Sequence, residues 1–191
     1  MILSDRDLKH AIREGRLKFS PPLSPKQIGP ASIDLRLAAD FKVFRTSHLA
    51  LIDPKQGFPA NMMMDDHRVP PEKPFIIHPG NFVLASTVEG ITVPDNYVVR
   101  VEGKSTLARM GILVHTAGFV DPGFSGNITL EISNQSNVAI ALYPGMYICQ
   151  VAVHQMTSPA EVPYHKRGRS AYQKPRAKGT VVANPKNLFP K

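Results

Sequence analysis

A carboxylate on a strand, and a hydroxyl and a guanidinium on a short turn, are the groups in this chain from which chemistry can be read. Glu131 lies in Ile128-Thr129-Leu130-Glu131-Ile132-Ser133, where three apolar residues alternate with three polar ones. That period of two turns the apolar side chains to a core and Glu131 away from it. Glutamate is depleted in strands. A carboxylate fixed on a strand face can take a proton from water and return it to a reacting group, which is general acid–base catalysis. The plain alternative is a solvated strand carboxylate. Upstream, Ser105 and Arg109 share one face if Gly103-Lys104-Ser105-Thr106-Leu107-Ala108-Arg109 makes a helical turn. Alone, that is a capped basic turn. Between them, Ala117-Gly118 and Asp121-Pro122-Gly123 supply small residues and bends where backbone can approach a ligand.

The surrounding elements must position these groups. Ser4 can cap a helix to about Arg13, with Asp7 as half a capping box and Gly15 as the stop. Ser20 to Pro30 reads as a loop. Ala31 to Leu37 and Phe41 to Arg45 read as strands, as do Phe75 to His78, Phe82 to Ser86, Ile91 to Val93 and Tyr97 to Val101. A short helical turn, a strand, a tight Gly/Pro hairpin and a second strand fill Gly103 to Asn134, and Val138 to Leu142 and Met146 to His154 follow. Thr46 to Lys73 reads as a polar connection whose Met62-Met63-Met64 fills gaps or an interface. Many short strands behind one terminal helix indicate an all-β sandwich or barrel. The 18 prolines among 191 residues agree with that. The length suits a single domain spanning residues 1–191.

Composition removes several function classes. The single cysteine, Cys149, excludes an internal disulfide and a multi-cysteine zinc site. Zinc-dependent base deaminases need H-x-E and P-C-x-x-C, which this chain lacks. Gly103-Lys104-Ser105 is no P-loop, because Val98 stands where the pattern requires its first glycine. No apolar run reaches membrane-spanning length, and the charged start MILSDRDLKH is no secretory signal, so a soluble cytoplasmic protein is expected. The formal charge of +8 resides in the tail: His165 to Lys191 holds eight Lys or Arg and no acid. A neutral body with a basic tail at 165–191 suits either a nucleic-acid arm or a flap that closes over a polyanion.

Three ordered blocks resemble the dCTP deaminase branch of the dUTPase-like superfamily: Gly103 to Arg109, Thr116-Ala117-Gly118-Phe119-Val120-Asp121-Pro122-Gly123-Phe124, and Gly126-Asn127-Ile128-Thr129-Leu130-Glu131. Weaker echoes run from Met1-Ile2-Leu3-Ser4 through Pro30 to Leu37 and on to Gln150 and Tyr164. The resemblance implies a distorted jelly roll assembled as a homotrimer with sites between subunits. It implies metal-free hydrolytic deamination of dCTP to dUTP and ammonia, with a bifunctional, dUMP-releasing enzyme as the alternative. It makes Glu131, Arg109 and Ser105 catalytic, Arg109 favouring the ionised carboxylate. The backbone around Ala117 would meet the attacked position, Asp121 the sugar 3′-hydroxyl, and Ser105 and Thr106 the phosphates. Lys104, Leu107, Ala108, Thr129, Leu130, Gln150 and Tyr164 complete the implied binding set, with Lys174, Arg176 and Lys178 in the tail. Mg²⁺ would arrive on the triphosphate, and no zinc is required. The expected ligands are dCTP, dUTP and dTTP, with no membrane or nucleic-acid partner. A dUTPase alone, or a silent scaffold with a nucleic-acid arm, are the rival readings. Ala171 and Pro175 stand where the family carries lysine and glutamine.

Overall fold

The computed structural model describes residues 1–45, 51–57, 60–70, 72–115 and 118–167, together with Ala183. Helix α1 (Asp5–Arg13) starts where the Ser4 hydroxyl oxygen accepts from the Asp7 amide, and Gly15 at φ +69° ends it. Its buried Leu8 and Ala11 lie on the core. No helix among the described residues is long and apolar enough to cross a membrane.

Two open sheets pack face to face. The larger runs β4 (Met64–Arg68), β3 (Asp40–Phe44), β6 (Phe82–Thr92), β10 (Ser125–Asn134) and β8 (Ile112–His115), with β1 (Lys18–Ser20) also paired to β6. The smaller runs β2 (Ile33–Arg36), β12 (Tyr147–Gln155), β7 (Tyr97–Gly103) and β9 (Phe119–Val120). A two-stranded ribbon joins β5 (Phe75–Ile77) to β11 (Ile140–Leu142). Ile128, Leu130 and Ile132 from the first sheet and Ile33, Leu35, Val151 and Val153 from the second share one apolar cluster. Cys149 lies in it, fully buried between Leu35 and Gly103, its thiol pushed up to about 12 by desolvation and then by the Glu89 and Asp34 carboxylates. The all-β jelly-roll reading holds. Among the described residues the sheets remain open rather than closing into a barrel.

Three expectations need correction. Phe82 to Ser86 and Ile91 to Val93 are one strand of 11 residues. In its polar middle the pairing with β10 shifts register between Asn127 and Thr129, and side chains supply hydrogen bonds there. The Thr87 hydroxyl oxygen accepts from the Ile128 amide, the Thr87 hydroxyl donates to the Glu89 carbonyl, and Asn127 donates to the carbonyls of Thr87 and Val88. The 46–73 connection contains a short helix α2 (Ala60–Met63) and strand β4. Cross-strand ion pairs, Lys42 to Asp66 and Arg68 to Asp40, tie β4 to β3 in place of apolar alternation. Within that segment Met64 is buried and Met62 exposed. Finally, the strands either side of the Gly/Pro turn form no simple hairpin: β9 pairs with β7 in one sheet, and β10 with β8 and β6 in the other.

Candidate active site

Residues 103–134 change sheets three times, and Ser105, Arg109 and Asp121 fall on the crossings. The first crossing is α3 (Ser105–Arg109), which leaves β7 of the smaller sheet and leads to β8 of the larger. Leu107 anchors it in the core at 6% exposure, while Ser105, Thr106, Ala108 and Arg109 stay exposed. Ser105 and Arg109 do share this helical turn. The second crossing returns to β9 through residues 116–118; Thr116 and Ala117 lie outside the described residues. The third is the turn Asp121 to Phe124. It needs Gly123 at φ +81°, where an added Cβ would stand 2.5 Å from His165 Nδ1 and 2.9 Å from Pro163 Cβ.

That turn also receives the start of the tail. The Tyr164 amide donates to the Pro122 carbonyl at 2.7 Å, the Phe124 and Tyr164 rings meet edge to face at 5.8 Å, and His165 lies 3.8 Å from Asp95. Asp121 and Tyr164, more than forty positions apart in sequence, therefore belong to one local assembly. Lys174, Arg176 and Lys178 lie outside the described residues.

Glu131 sits on β10, opposite Leu84 of β6 on one side and His115 of β8 on the other. Thr129 shares its face, while Leu130 points into the core at 0% exposure. Glu131 Oε2 is sealed from solvent and has no hydrogen-bond partner among the described residues. Desolvation raises its pKa, offset by a hydrogen bond from its own backbone. Leu84, 8% exposed and outside the common core cluster, supplies apolar surface beside it. Among the described residues of one chain no guanidinium lowers this carboxyl, so the expected influence of Arg109 is not exerted by the same chain.

The remaining candidates lie on the smaller sheet. Lys104 is the N-cap of α3, and its ammonium pairs with Asp34 Oδ1 of β2 at 2.7 Å. Its side chain is thus committed to a carboxylate seventy positions away, a partner that local spacing could not reveal. Gln150 of β12 stands opposite Asp34 and Glu102, its Oε1 accepting from the Ser32 hydroxyl at 3.3 Å. Gln150 alternates with buried Cys149 and Val151. It therefore points outward from the smaller sheet, as Glu131 points outward from the larger. One chain turns these two residues to opposite exteriors.

A family model described as dCTP deaminase-like matches residues 2–156. The chain is 51% identical over 174 residues to the "dCTP deaminase, dUMP-forming" of Dictyoglomus thermophilum, spanning 90% of this chain and 89% of that one. It is 52% identical over 165 residues to the protein of the same name from Corynebacterium jeikeium, spanning 86% of each. In fold it matches the crystal structure of 2′-deoxycytidine 5′-triphosphate deaminase from Agrobacterium tumefaciens with TM-score 0.63 at 22% identity, covering 81% of this chain and 48% of that one. A carboxylate oxygen sealed from solvent and unpartnered among the described residues, a Ser/Arg turn at the sheet crossing and this likeness over most of the length agree: the chain belongs to the dCTP deaminase-like family.

Proposed function

We propose that this enzyme hydrolyses the amino group of dCTP and carries the product on to dUMP and pyrophosphate. The dUTP-releasing reaction was the first expectation from sequence; the names of the relatives at about half identity support the dUMP-forming alternative. The observation that carries the chemistry is Glu131 Oε2, a carboxylate oxygen withdrawn from water with no hydrogen-bond partner among the described residues. Buried polar atoms are nearly always satisfied, so an orphan on a strand face is an acceptor awaiting a donor. Water bound there gives its proton to Glu131 as its oxygen adds to C4 of cytosine. The carboxylic acid delivers that proton to ring N3, then takes the second proton from the C4 hydroxyl of the tetrahedral adduct and passes it to the departing amino group, so that the C4–N bond breaks, the C4 carbonyl forms and ammonia leaves. General acid–base help of this kind contributes about 10²–10⁴-fold.

The complete site requires a second copy of the chain. Gln150 and Glu131 face opposite exteriors, and Arg109 is exposed on α3. A neighbour that brought Ser105 and Arg109 to Glu131 would add the positive charge that favours its ionised form and donors for the developing tetrahedral centre. Phe82 and Leu113 flank Ser133 in the row beside Glu131, each more than a third exposed, and give that contact an apolar margin. A closed homotrimer of 21.0 kDa chains follows from the family reading. Light scattering tests it: a stable monomer with full activity would overturn the shared site.

Asp121 would bind the sugar hydroxyl, and the α3 start with Tyr164, Lys174, Arg176 and Lys178 would bind the triphosphate. Because Asp34 already neutralises Lys104, that side chain brings no excess charge to the phosphates. The tail cations and Mg²⁺ would supply it, the ion being held by phosphate oxygens and water as this small hard cation prefers. Incubation with dCTP and Mg²⁺, with separation of dUTP, dUMP, ammonia and pyrophosphate, decides the reading. Ammonia with dUMP is expected; accumulation of dUTP would return the dUTP-releasing reaction, and no ammonia would refute deamination.

A further inference from the structure

Gly111 follows Arg109 by two positions, and Asn134 follows Glu131 by three. The two positions meet. Asn134 stands opposite Ile112 in the β10–β8 ladder, and the Gln135 amide donates to the Gly111 carbonyl at 2.8 Å. Gly111 itself adopts φ +94°, and a Cβ there would lie 2.6 Å from Ser136 Cβ and 2.9 Å from Ser136 N. The exit of α3 is therefore pressed against the backbone at the end of β10, with no room for any side chain.

Asn134 makes that end rigid. It is fully buried, and its amide donates to the carbonyls of Ile77 and Val138 at 2.9 and 2.8 Å. Its Oδ1 accepts from the Ser136 amide at 2.9 Å and from the Ser136 hydroxyl at 2.8 Å. The Asn134 backbone is held on both sides as well, by the Asn81 carbonyl and the Gly80 amide. Asn134-Gln135-Ser136 has the spacing of a glycosylation acceptor, but this amide is committed to the interior and unavailable for modification.

We infer that the Gly111–Asn134–Ser136 junction is a positioning device that fixes the bearing of α3 against the Glu131 strand. Neither Gly111 nor Asn134 touches substrate; each acts through the element that departs from it. Ser105 and Arg109 leave one side of the junction and Glu131 the other. A tilt there moves the guanidinium that each chain presents relative to the carboxylate that it presents. In a closed ring of copies, such a tilt misaligns every site together. Displacement of a catalytic group by about 1 Å from a remote change costs on the order of 10²-fold in rate. This inference rests on the dCTP deamination reading, so native turnover of dCTP serves as its reference arm.

The test uses the full chain with Gly111→Ala, Ser136→Gly and the double variant. Gly111→Ala drives a methyl group into Ser136. It should lower kcat for dCTP by about 10²-fold with KM changed less than about threefold, measured well below Tm on protein shown to be folded by circular dichroism. The double variant, relieved of the Ser136 Cβ contact, should recover part of kcat. Independently of turnover, hydrogen exchange should accelerate at the Gln135 and α3 amides in Gly111→Ala. Should Gly111→Ala fail to fold, Ser136→Ala removes the hydroxyl that reaches Asn134 Oδ1 and the Val138 carbonyl and accepts from the Val138 amide, and should lower kcat about fivefold or more, at least the equivalent of one hydrogen bond, with KM unchanged. Overturning results are kcat losses that track only the unfolded fraction, unaltered exchange at Gln135 and α3, or a Ser136→Ala enzyme with native constants. A native enzyme without dCTP turnover would instead refute the functional reading, and exchange alone would then judge the junction.

Discussion

Glu89 on β6 and Glu131 on β10 leave adjacent strands of one sheet, both withdrawn from water, and differ in what meets their oxygens. Glu89 is 0% exposed, and three donors reach it: Gln27 Nε2 at 3.0 Å, the Arg36 amide at 2.8 Å and Arg36 Nε at 2.6 Å. Because Arg36 belongs to β2, this carboxylate ties the two sheets together. Glu131 has the opposite character: its Oε2 is equally sealed and receives no donor from the described residues. Burial therefore does not separate a structural carboxylate from a reactive one here. The supply of donors does, and the contrast can be tested from both ends.

The largest effect should come from Glu131→Gln. Size and strand placement are kept while the proton carrier is lost, so deamination should fall by about 10²–10⁴-fold. Tm should stay level or rise, since a neutral amide replaces a desolvated acid. Parallel measurement of dCTP turnover and thermal unfolding checks this; near-native turnover would leave Glu131 a mere strand carboxylate.

Glu89→Ala should do the reverse. Breaking a buried ion pair by removing one partner costs about 3–5 kcal/mol, and the lower end is expected because Arg36 can reach solvent. Denaturant unfolding should show that loss, with the turnover of the remaining folded protein little changed. Retained stability would mean that the cross-sheet tie is dispensable.

A third expectation concerns pH. Burial raises the Glu131 pKa, and the base must be ionised to accept a proton. The acid limb of kcat/KM should therefore report this carboxyl, raised by burial and lowered by the Arg109 of a second copy, and vanish in Glu131→Gln. The stability sign runs the other way. With the folded pKa above the unfolded one, this group's contribution is fully present below the unfolded pKa and is lost as pH rises through the folded pKa. Comparing native and Glu131→Gln unfolding across that window isolates it, and identical pH dependence would refute the raised pKa.

The smallest effect belongs to Asp34→Asn. The Lys104–Asp34 pair keeps 26% and 21% side-chain exposure, and partly exposed pairs contribute about 1 kcal/mol or less. A loss well beyond that in urea unfolding would place Asp34 with Glu89 as a structural anchor.

How much of this was legible in sequence depends on whether the informative partner was near or far. The Ser4 cap, the Ser105–Arg109 turn and the outward face of Glu131 rest on spacings of two to four residues. Local chemistry dictates those. The continuity of β6 was hidden because its two apolar runs are separated by polar Thr87 and Glu89, followed by Gly90. They are strand residues because Asn127, Ile128, Gln27 and Arg36 satisfy the strand's middle from elsewhere in the chain. Strand β4 escaped because charge pairing replaces alternation. The ion pair of Lys104 was hidden for the same reason, its partner being Asp34 on another strand. Gly111 and Gly123 carried a signal in their residue type, but what presses on each belongs to segments 25 and at least 40 positions away.

Cys149 turns the interior into a clock. The thiolate is the form that alkylating reagents attack, and this thiol, held near 12 and fully buried on β12, offers almost none while the sheets are closed. As the sole sulfhydryl in the chain, it takes one label per molecule, without ambiguity of site. A reagent can reach it when β12 parts from the core, so the labelling rate, set against that of an unstructured cysteine peptide, counts openings of the sandwich under native conditions. Slower labelling as nucleotide is added would report ligand engagement without any turnover being measured.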